Sequence, residues 1–457
     1  MVTKPRPTTL WNRFASRIGA LITSGSASIV ATSIAANLLR LISSMTLTRL
    51  LDANQFGVVG IVTSVAVVFS MLADIGTQAF VIRHPEGNDP DFLDQIWTLR
   101  LIRSIALTLA MGILAFPIAM LMHKPVIGPV IAAWSLAFVL DGLSSMAFAT
   151  AIRERMLWRL SLLDISGNFV QLIIGIPLAI WLRSYWAIIL SMIIAAAFKV
   201  VLSYYLFSGS ARRISFSRSR AKELWEFARV IGPSSYLTLI ILQADKIFLG
   251  ATLSLESFGL YTVAATLAAS PTVLAWSYTR RVLYPVYAET AREAPERLAE
   301  VFYEKRRIVS IVFTFLTAAT AGGSALIIAL LYDPRYMGAA PILTWLCVSA
   351  SLSLVNYAAD ELLISVGKIR ATLHANIVRA TWLAIGIILA ITFQKPLIMV
   401  PFFGLIEIPT MFFYWYGLKR LGVLNWRQEG LVLLVATFGG GVGLASATII
   451  LGLFPAL

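Results

Sequence analysis

A single cysteine, Cys347, stands in 457 residues, and it lies inside an apolar run. No disulfide framework and no cysteine-based metal site can form, so Cys347 reads as core packing. The three histidines, His84, His123 and His374, are scattered and suggest no metal cluster. No Gly-rich phosphate loop is present, which argues against ATP hydrolysis and leaves no cofactor to expect. Charge is scarce too: 13% of residues are charged against 58% hydrophobic, with a mean hydropathy of +0.82, which excludes a soluble domain. The apolar runs are continuous rather than alternating, so strands are excluded.

What is present is about a dozen apolar runs, each long enough to cross a hydrocarbon core of roughly 30 Å. The runs predict an all-α polytopic membrane protein. Expected spans are 28–50, 57–82, 98–122, 126–151, 160–182 and 185–207 in a first half (28–207). A basic linker follows at 208–226, and the second half (227–419) holds 227–250, 257–283, 307–331, 338–363, 370–393 and 397–419. A further Gly-rich span at about 430–454 occupies the C-terminal stretch 420–457, where Gly439-Gly440-Gly441 suits close helix contact. The segment before residue 28 reads as an interfacial helix over 10–22 rather than a cleaved signal.

The formal net charge of +14 is not spread evenly. Lys and Arg cluster in alternate loops, at Lys4 to Arg17, Arg153 to Arg159, Arg212 to Lys222, Arg280 to Arg307, Lys368 to Arg370 and Lys419 to Arg427. Lys124, Arg183, Arg335 and Lys395 stand singly between them. That alternation places the N-terminus and the basic loops in the cytoplasm, and it argues for contact with anionic lipid headgroups rather than nucleic acid. The charges of Tyr284 to Arg306 read as the solvated face of an amphipathic helix.

The first span carries Ser33, Asn37, Arg40, Ser44 and Thr48 on one helical face. An Arg at mid-bilayer costs roughly 2.5–3.5 kcal/mol on insertion scales, so Arg40 is expected against protein or a water-filled cavity. Ser234, Thr238, Ile241 and Asp245 repeat the stripe, with Lys246 beside them, and Phe258-Gly259 echoes Phe56-Gly57 at one offset. The repetition predicts two homologous six-helix lobes. Other spans hold Asp74, Arg100, Arg103, Asp141, Asn168, Gln171, Asn356, Asp360, Asn376, Arg379 and Glu407. Such stripes predict a shared aqueous cavity, which is the preferred reading for Arg40, Lys246 and Arg379, whereas the Ser, Thr and Asn members read better as interhelical hydrogen bonds worth about 0.6 kcal/mol each.

Several short stretches carry a resemblance. They are RLLDANQFG at 49–57, DIGTQAFVIR at 74–83, QADKIFLG at 243–250, Phe258 to Tyr261, and Tyr284-Pro285. In this order and spacing the chain resembles the polysaccharide transporters, the Wzx-type oligosaccharide flippases of the multidrug/oligosaccharidyl-lipid/polysaccharide exporter superfamily. The resemblance implies two lobes around a central cavity that opens alternately to the two faces. It also implies translocation of an undecaprenyl-pyrophosphate-linked oligosaccharide to the outer leaflet of the bacterial inner membrane, for O-antigen, capsule or exopolysaccharide assembly by a downstream polymerase. A monomer is the family expectation. An odd final span departs from the twelve or fourteen usual in relatives.

Under that reading Arg40, Lys246 and Arg379 engage the pyrophosphate, which needs cations. Arg100, Arg103 and Arg280 serve either at the cytoplasmic mouth or as topology anchors. Asp74, Asp141, Asp245 and Asp360 are candidates for coupling to H+ or Na+ or for salt-bridge gating. Asn37, Ser44, Asn168, Gln171, Asn356 and Asn376 supply polar cavity lining. One alternative is an exporter of small amphiphiles, disfavoured because the cavity lining is net basic. Another is a membrane-embedded polymerase or glycosyltransferase, disfavoured because every expected outer loop is about ten residues or fewer.

Overall fold

Among the described residues each expected span is built from helix, because a backbone in lipid must satisfy its own hydrogen bonds. The computed structural model describes residues 25–73, 76–146, 148, 151, 157–207 and 213–454, with 25–34, 157–158 and 230–238 described through their backbone alone. Asp74 and the interfacial helix expected over 10–22 lie outside the described residues, as do the side chains of Ser33, Ser234 and Thr238. Nine described helices are long and apolar enough to cross a membrane, and the pair Pro295–Gly322 and Ser324–Leu331 makes a tenth if taken as one span bent by 75°. The chain is a multi-pass membrane protein.

The first half comprises α1 (Gly25–Leu50), α2 (Ala53–Leu72), α3 (Thr77–Arg83), α4 (Pro90–Leu121), α5 (Ile127–Trp134), α6 (Leu136–Leu143), α7 (Leu157–Leu182) and α8 (Trp186–Leu206). The second holds α9 (Arg218–Thr252), α10 (Leu255–Tyr278), α11 (Tyr284–Glu293), α12 (Leu298–Gly322), α13 (Ser324–Leu331), α14 (Ala340–Ser365), α15 (Arg370–Thr392), α16 (Met399–Gly404) and α17 (Glu407–Arg420). The final helix is α18 (Trp426–Leu453). Side-chain caps start four of these helices. Asp89 accepts from Phe92 N, Ser217 from Arg220 N, Ser254 from Ser257 N, and Asn425 from Arg427 N and Gln428 N.

Three expected spans are broken rather than straight. The fourth divides at Ser135 into α5 and α6, the ninth bends at Gly322-Gly323, and the twelfth divides at Leu405-Ile406 into α16 and α17. The eighth ends in a π-helical turn, Thr279–Leu283, where Tyr284 N donates to Thr279 O. Pro285 has no N–H for the α-helical ladder there, and the wider turn accommodates its ring.

The expected linker is also shorter than its sequence suggests. It is helical from Arg218, and Leu224 is buried with Phe80, Val81, Phe92, Ile96 and Trp97 of the first half. Ser215 N donates to Thr98 Oγ1 at 2.9 Å. Helix α9 therefore packs its first turns on the first half and continues into the second.

The centre is built from α2, α10 and α14, with 67% of the apolar window of α14 buried against 17% for α7 and for α18. Gly57 of α2 and Gly259 of α10 let those two backbones meet: a Cβ on Gly57 would overlap Leu255 O, and one on Gly259 would overlap Ala53 O. Both glycines and both carbonyls sit at the repeat offset read from the sequence. At the rim, Ile113, Leu121, Trp181 and Phe438 expose apolar side chains, as a lipid-facing surface requires.

Candidate functional site

Four of the expected polar residues converge in the second half. Arg379 Nη2 lies 3.0 Å from Glu407 Oε2, and its Nη1 donates to Asn376 Oδ1 at 3.2 Å. Asn356 Nδ2 donates to Glu407 Oε2 at 2.6 Å and to Glu407 O at 2.8 Å. Arg379 and Glu407 are both buried, so the pair sits in a low dielectric with its remaining valences filled by amides. The broken twelfth span makes this possible: Glu407 opens α17, where its side chain reaches α14 and α15. Asp360 accepts from Thr372 at 2.8 Å one turn away.

A second pair lies in the first half. Arg100 Nη2 is 2.9 Å from Asp141 Oδ1, with its guanidinium 5.1 Å from the Phe148 ring centroid. Arg103 Nη1 donates to Ala73 O at 3.2 Å. Asp164 holds Lys199 at 2.8 Å, and its carbonyl accepts from Asn168, with Gln171 half-buried three residues on.

Arg40 and Lys246 differ from these. Arg40 Nη1 is 3.5 Å from Asn37 Oδ1, and Lys246 Nζ donates to Leu242 O at 2.9 Å. Neither forms an ion pair with a carboxylate among the described residues. Arg280 is exposed, with its guanidinium 5.2 Å from the Trp276 ring. Asp245 is buried and accepts from Tyr261 Oη through Oδ2, while Oδ1 has no hydrogen-bond partner among the described residues. The cations Arg40, Lys246 and Arg379 share no partner among the described residues.

Ties between the halves flank these groups. At one end Arg335 pairs with Asp52 and, at 2.8 Å, with Asp333, while Tyr336 Oη donates to Leu51 O at 2.7 Å and Lys124 Nζ to Ala251 O at 3.2 Å. Ser44 Oγ and Tyr332 Oη lie 3.3 Å apart just below. Arg335 holds the Asp333 carboxyl below the usual carboxylate range, chiefly by hydrogen bonding. At the other end Arg220 pairs with Glu86 and, at 3.0 Å, with Glu223, which also lies 3.0 Å from His84 Nε2.

One charge cluster was not legible as such. Arg306, expected among solvated charges, is 2% exposed and paired with Glu429 of α18. Glu429 also accepts from Tyr303 Oη at 3.0 Å and Trp415 Nε1 at 3.1 Å. The correction has a simple cause: α12 starts before the apolar run, so Arg306 already lies inside the helix packing. Opposite charges at matching depths on two spans were the available signal, as they were for Lys199 and Asp164.

The model of a polysaccharide biosynthesis protein family matches residues 46–341. The chain is 23% identical over 262 residues to the succinoglycan biosynthesis transport protein ExoT of Rhizobium meliloti (strain 1021), a match covering 57% of this chain and 52% of that one. It therefore spans about half the length of that relative. It is 21% identical over 344 residues to the lipopolysaccharide biosynthesis protein WzxC of Escherichia coli (strain K12), covering 74% of this chain and 69% of that one. Among solved structures, the lipid II flippase MurJ in an inward closed conformation superposes with a TM-score of 0.69 at 10% identity, over 92% of this chain and 99% of that one. An inward-facing multidrug resistance MATE family transporter of the MOP superfamily gives 0.64 at 16%, over 85% and 94%. The fold is that of these transporters, and the chain belongs to the polysaccharide biosynthesis protein family.

Proposed function

We propose that the chain carries a polyprenyl-pyrophosphate-linked oligosaccharide from the inner to the outer leaflet of the bacterial cytoplasmic membrane by alternating access, without catalysing a reaction. The observation that carries this reading is that Arg40 and Lys246, on the expected spans α1 and α9, form no ion pair with a carboxylate among the described residues. Holding such cations unpaired is expensive in lipid, and a dianionic pyrophosphate is a ligand that offsets the cost. Arg379 supports the fold more than the ligand, because Glu407 already matches its charge. The relatives named for succinoglycan and lipopolysaccharide biosynthesis, and the lipid II flippase of like fold, supply the substrate class.

The basic loops face the cytoplasm in this reading, so the Asp52–Arg335 latch closes the periplasmic face. Asp245, with one buried oxygen unpartnered, is the carboxylate assigned to the coupling ion, H+ or Na+. Asp141 and Asp360 are engaged by Arg100 and Thr372. The chain works as a monomer that hands its product to a polymerase.

Polyprenyl-linked oligosaccharide in a deletion strain, measured by lipid extraction and mass spectrometry, tests the reading. Intact repeat units should accumulate, and should still accumulate when the Arg40→Ala chain is restored. No change in any lipid-linked intermediate would overturn it.

A further inference from the structure

Away from the central groups, a hollow of about 590 Å³ opens where α18 begins, lined by Glu300, Tyr303, Asn425, Trp426, Arg427 and Gln428 among others. Two of its polar groups are already engaged: Glu300 by Arg297 at 3.3 Å, and the Asn425 side chain by the Arg427 and Gln428 amides. Arg427 is exposed and forms no ion pair among the described residues, and the same holds for Arg307 on α12. The hollow thus keeps one cation, Arg427, without a carboxylate partner among the described residues.

Tyr303 and Gln428 also line a narrow notch of about 10 Å³ beside it, together with Arg306, Arg307 and Ser310. Arg306 Nη1 and Ser310 Oγ are buried there without a hydrogen-bond partner among the described residues, although Arg306 is otherwise paired with Glu429. Buried donors left unmade are costly, so the seam favours an acceptor. The notch continues between apolar walls, Ile311, Leu431 and Val432. Beyond them Ile308, Val312, Leu434 and Phe438 are all more than half exposed on the flanks of α12 and α18.

A polar hollow with an unpaired cation, adjoining a notch that carries Arg307 and runs between apolar walls, matches one ligand class. We propose that the α12–α18 seam binds an anionic phospholipid, with its phosphate held by Arg307 and Arg427 and an acyl chain laid along the seam. A free phosphate would satisfy the cations but leave the apolar seam uncovered. A choline headgroup would bring its own cation against the rim. Trp426 is 60% exposed at the start of the apolar run of α18, the depth at which an indole sits among headgroups. The bound lipid would fasten α18 to α12 beside the Arg306–Glu429 pair.

The test uses the full chain purified in neutral detergent and titrated with phosphatidylglycerol or phosphatidylcholine, with bound lipid counted by native mass spectrometry. Phosphatidylglycerol should be retained in preference. Arg307→Gln with Arg427→Gln should weaken its retention about 30-fold, the scale of two cations removed from an anionic surface. Arg183→Gln with Lys395→Gln, at the opposite end, should not change it. If the double variant fails to fold, the exposed Arg427→Gln alone carries the test, with a smaller loss expected. Equal retention by wild type and these variants overturns the site. Thermal protection by inorganic phosphate alone, equal to that by phosphatidylglycerol and lost in the same variants, would overturn the lipid and assign the hollow to free phosphate.

Discussion

Gly57 and Gly259 meet back to back where α2 crosses α10. A Cβ on either would enter the carbonyl of the opposite helix, and one on Gly259 would also stand 3.0 Å from Gly57 N. Backbone cannot swing aside as a flexible side chain can. Gly259→Ala should therefore separate the helices and cost about 1–3 kcal/mol, the range for overpacking a tight core. Thermal unfolding of the purified chain should show the drop in Tm, and an unchanged Tm would refute the close approach.

Arg40→Ala and Lys246→Ala should behave as loss-of-export variants that still reach the membrane. Neither side chain holds a carboxylate partner among the described residues, so truncation leaves no orphaned buried charge there. Membrane abundance by immunoblot should match the wild type while polymer output falls. Normal output from both variants would sink their assignment to the pyrophosphate.

Glu407→Ala should do the reverse and act on the fold. It strands the Arg379 guanidinium and removes an acceptor from Asn356, both buried. Breaking one side of a buried pair costs about 3–5 kcal/mol. Arg379→Met with Glu407→Leu should lose less than Glu407→Ala alone, a comparison that unfolding in detergent reads directly.

Arg335→Ala should loosen the latch to Asp52 and Asp333, seen as faster hydrogen exchange in residues 49–56 after correction for intrinsic rates. The pH dependence has a definite sign. Asp333 is held below its ordinary value by Arg335, so its stabilisation is present above the unfolded carboxylate pKa and fades as pH falls through the lowered folded value. The difference in stability between wild type and variant should hold at neutral pH and shrink only below about pH 4.

On α18 the glycines Gly439, Gly441 and Gly443 should separate by face. A Cβ on Gly439 would press on Phe315 O, and Gly443 one turn later is closer still to Ala319 O, whereas Gly441 faces open space. Gly443→Ala should destabilise the α12 contact and Gly441→Ala should not, with unfolding curves as the measure.

The striped spans were legible because an ionisable residue in lipid stands out against leucine and isoleucine at fixed helical spacing. Arg40, Asp245 and Arg379 were visible in that way. Their partners were not, since Asn376 is three residues from Arg379 while Glu407 is twenty-eight residues away and reaches it only through the break before α17. Arg306 was misread for a related reason: a charge at the margin of an apolar run looks solvated until a neighbouring helix covers it.

Hydropathy and helical periodicity by themselves determined an all-helical, multi-pass protein with an echoed Phe-Gly signature in each half, because lipid tolerates only runs that satisfy their own backbone. Which cations find a carboxylate among the described residues was decided by tertiary packing. Ion pairing acts over a few ångströms between helices distant in sequence, and only the fold sets those distances.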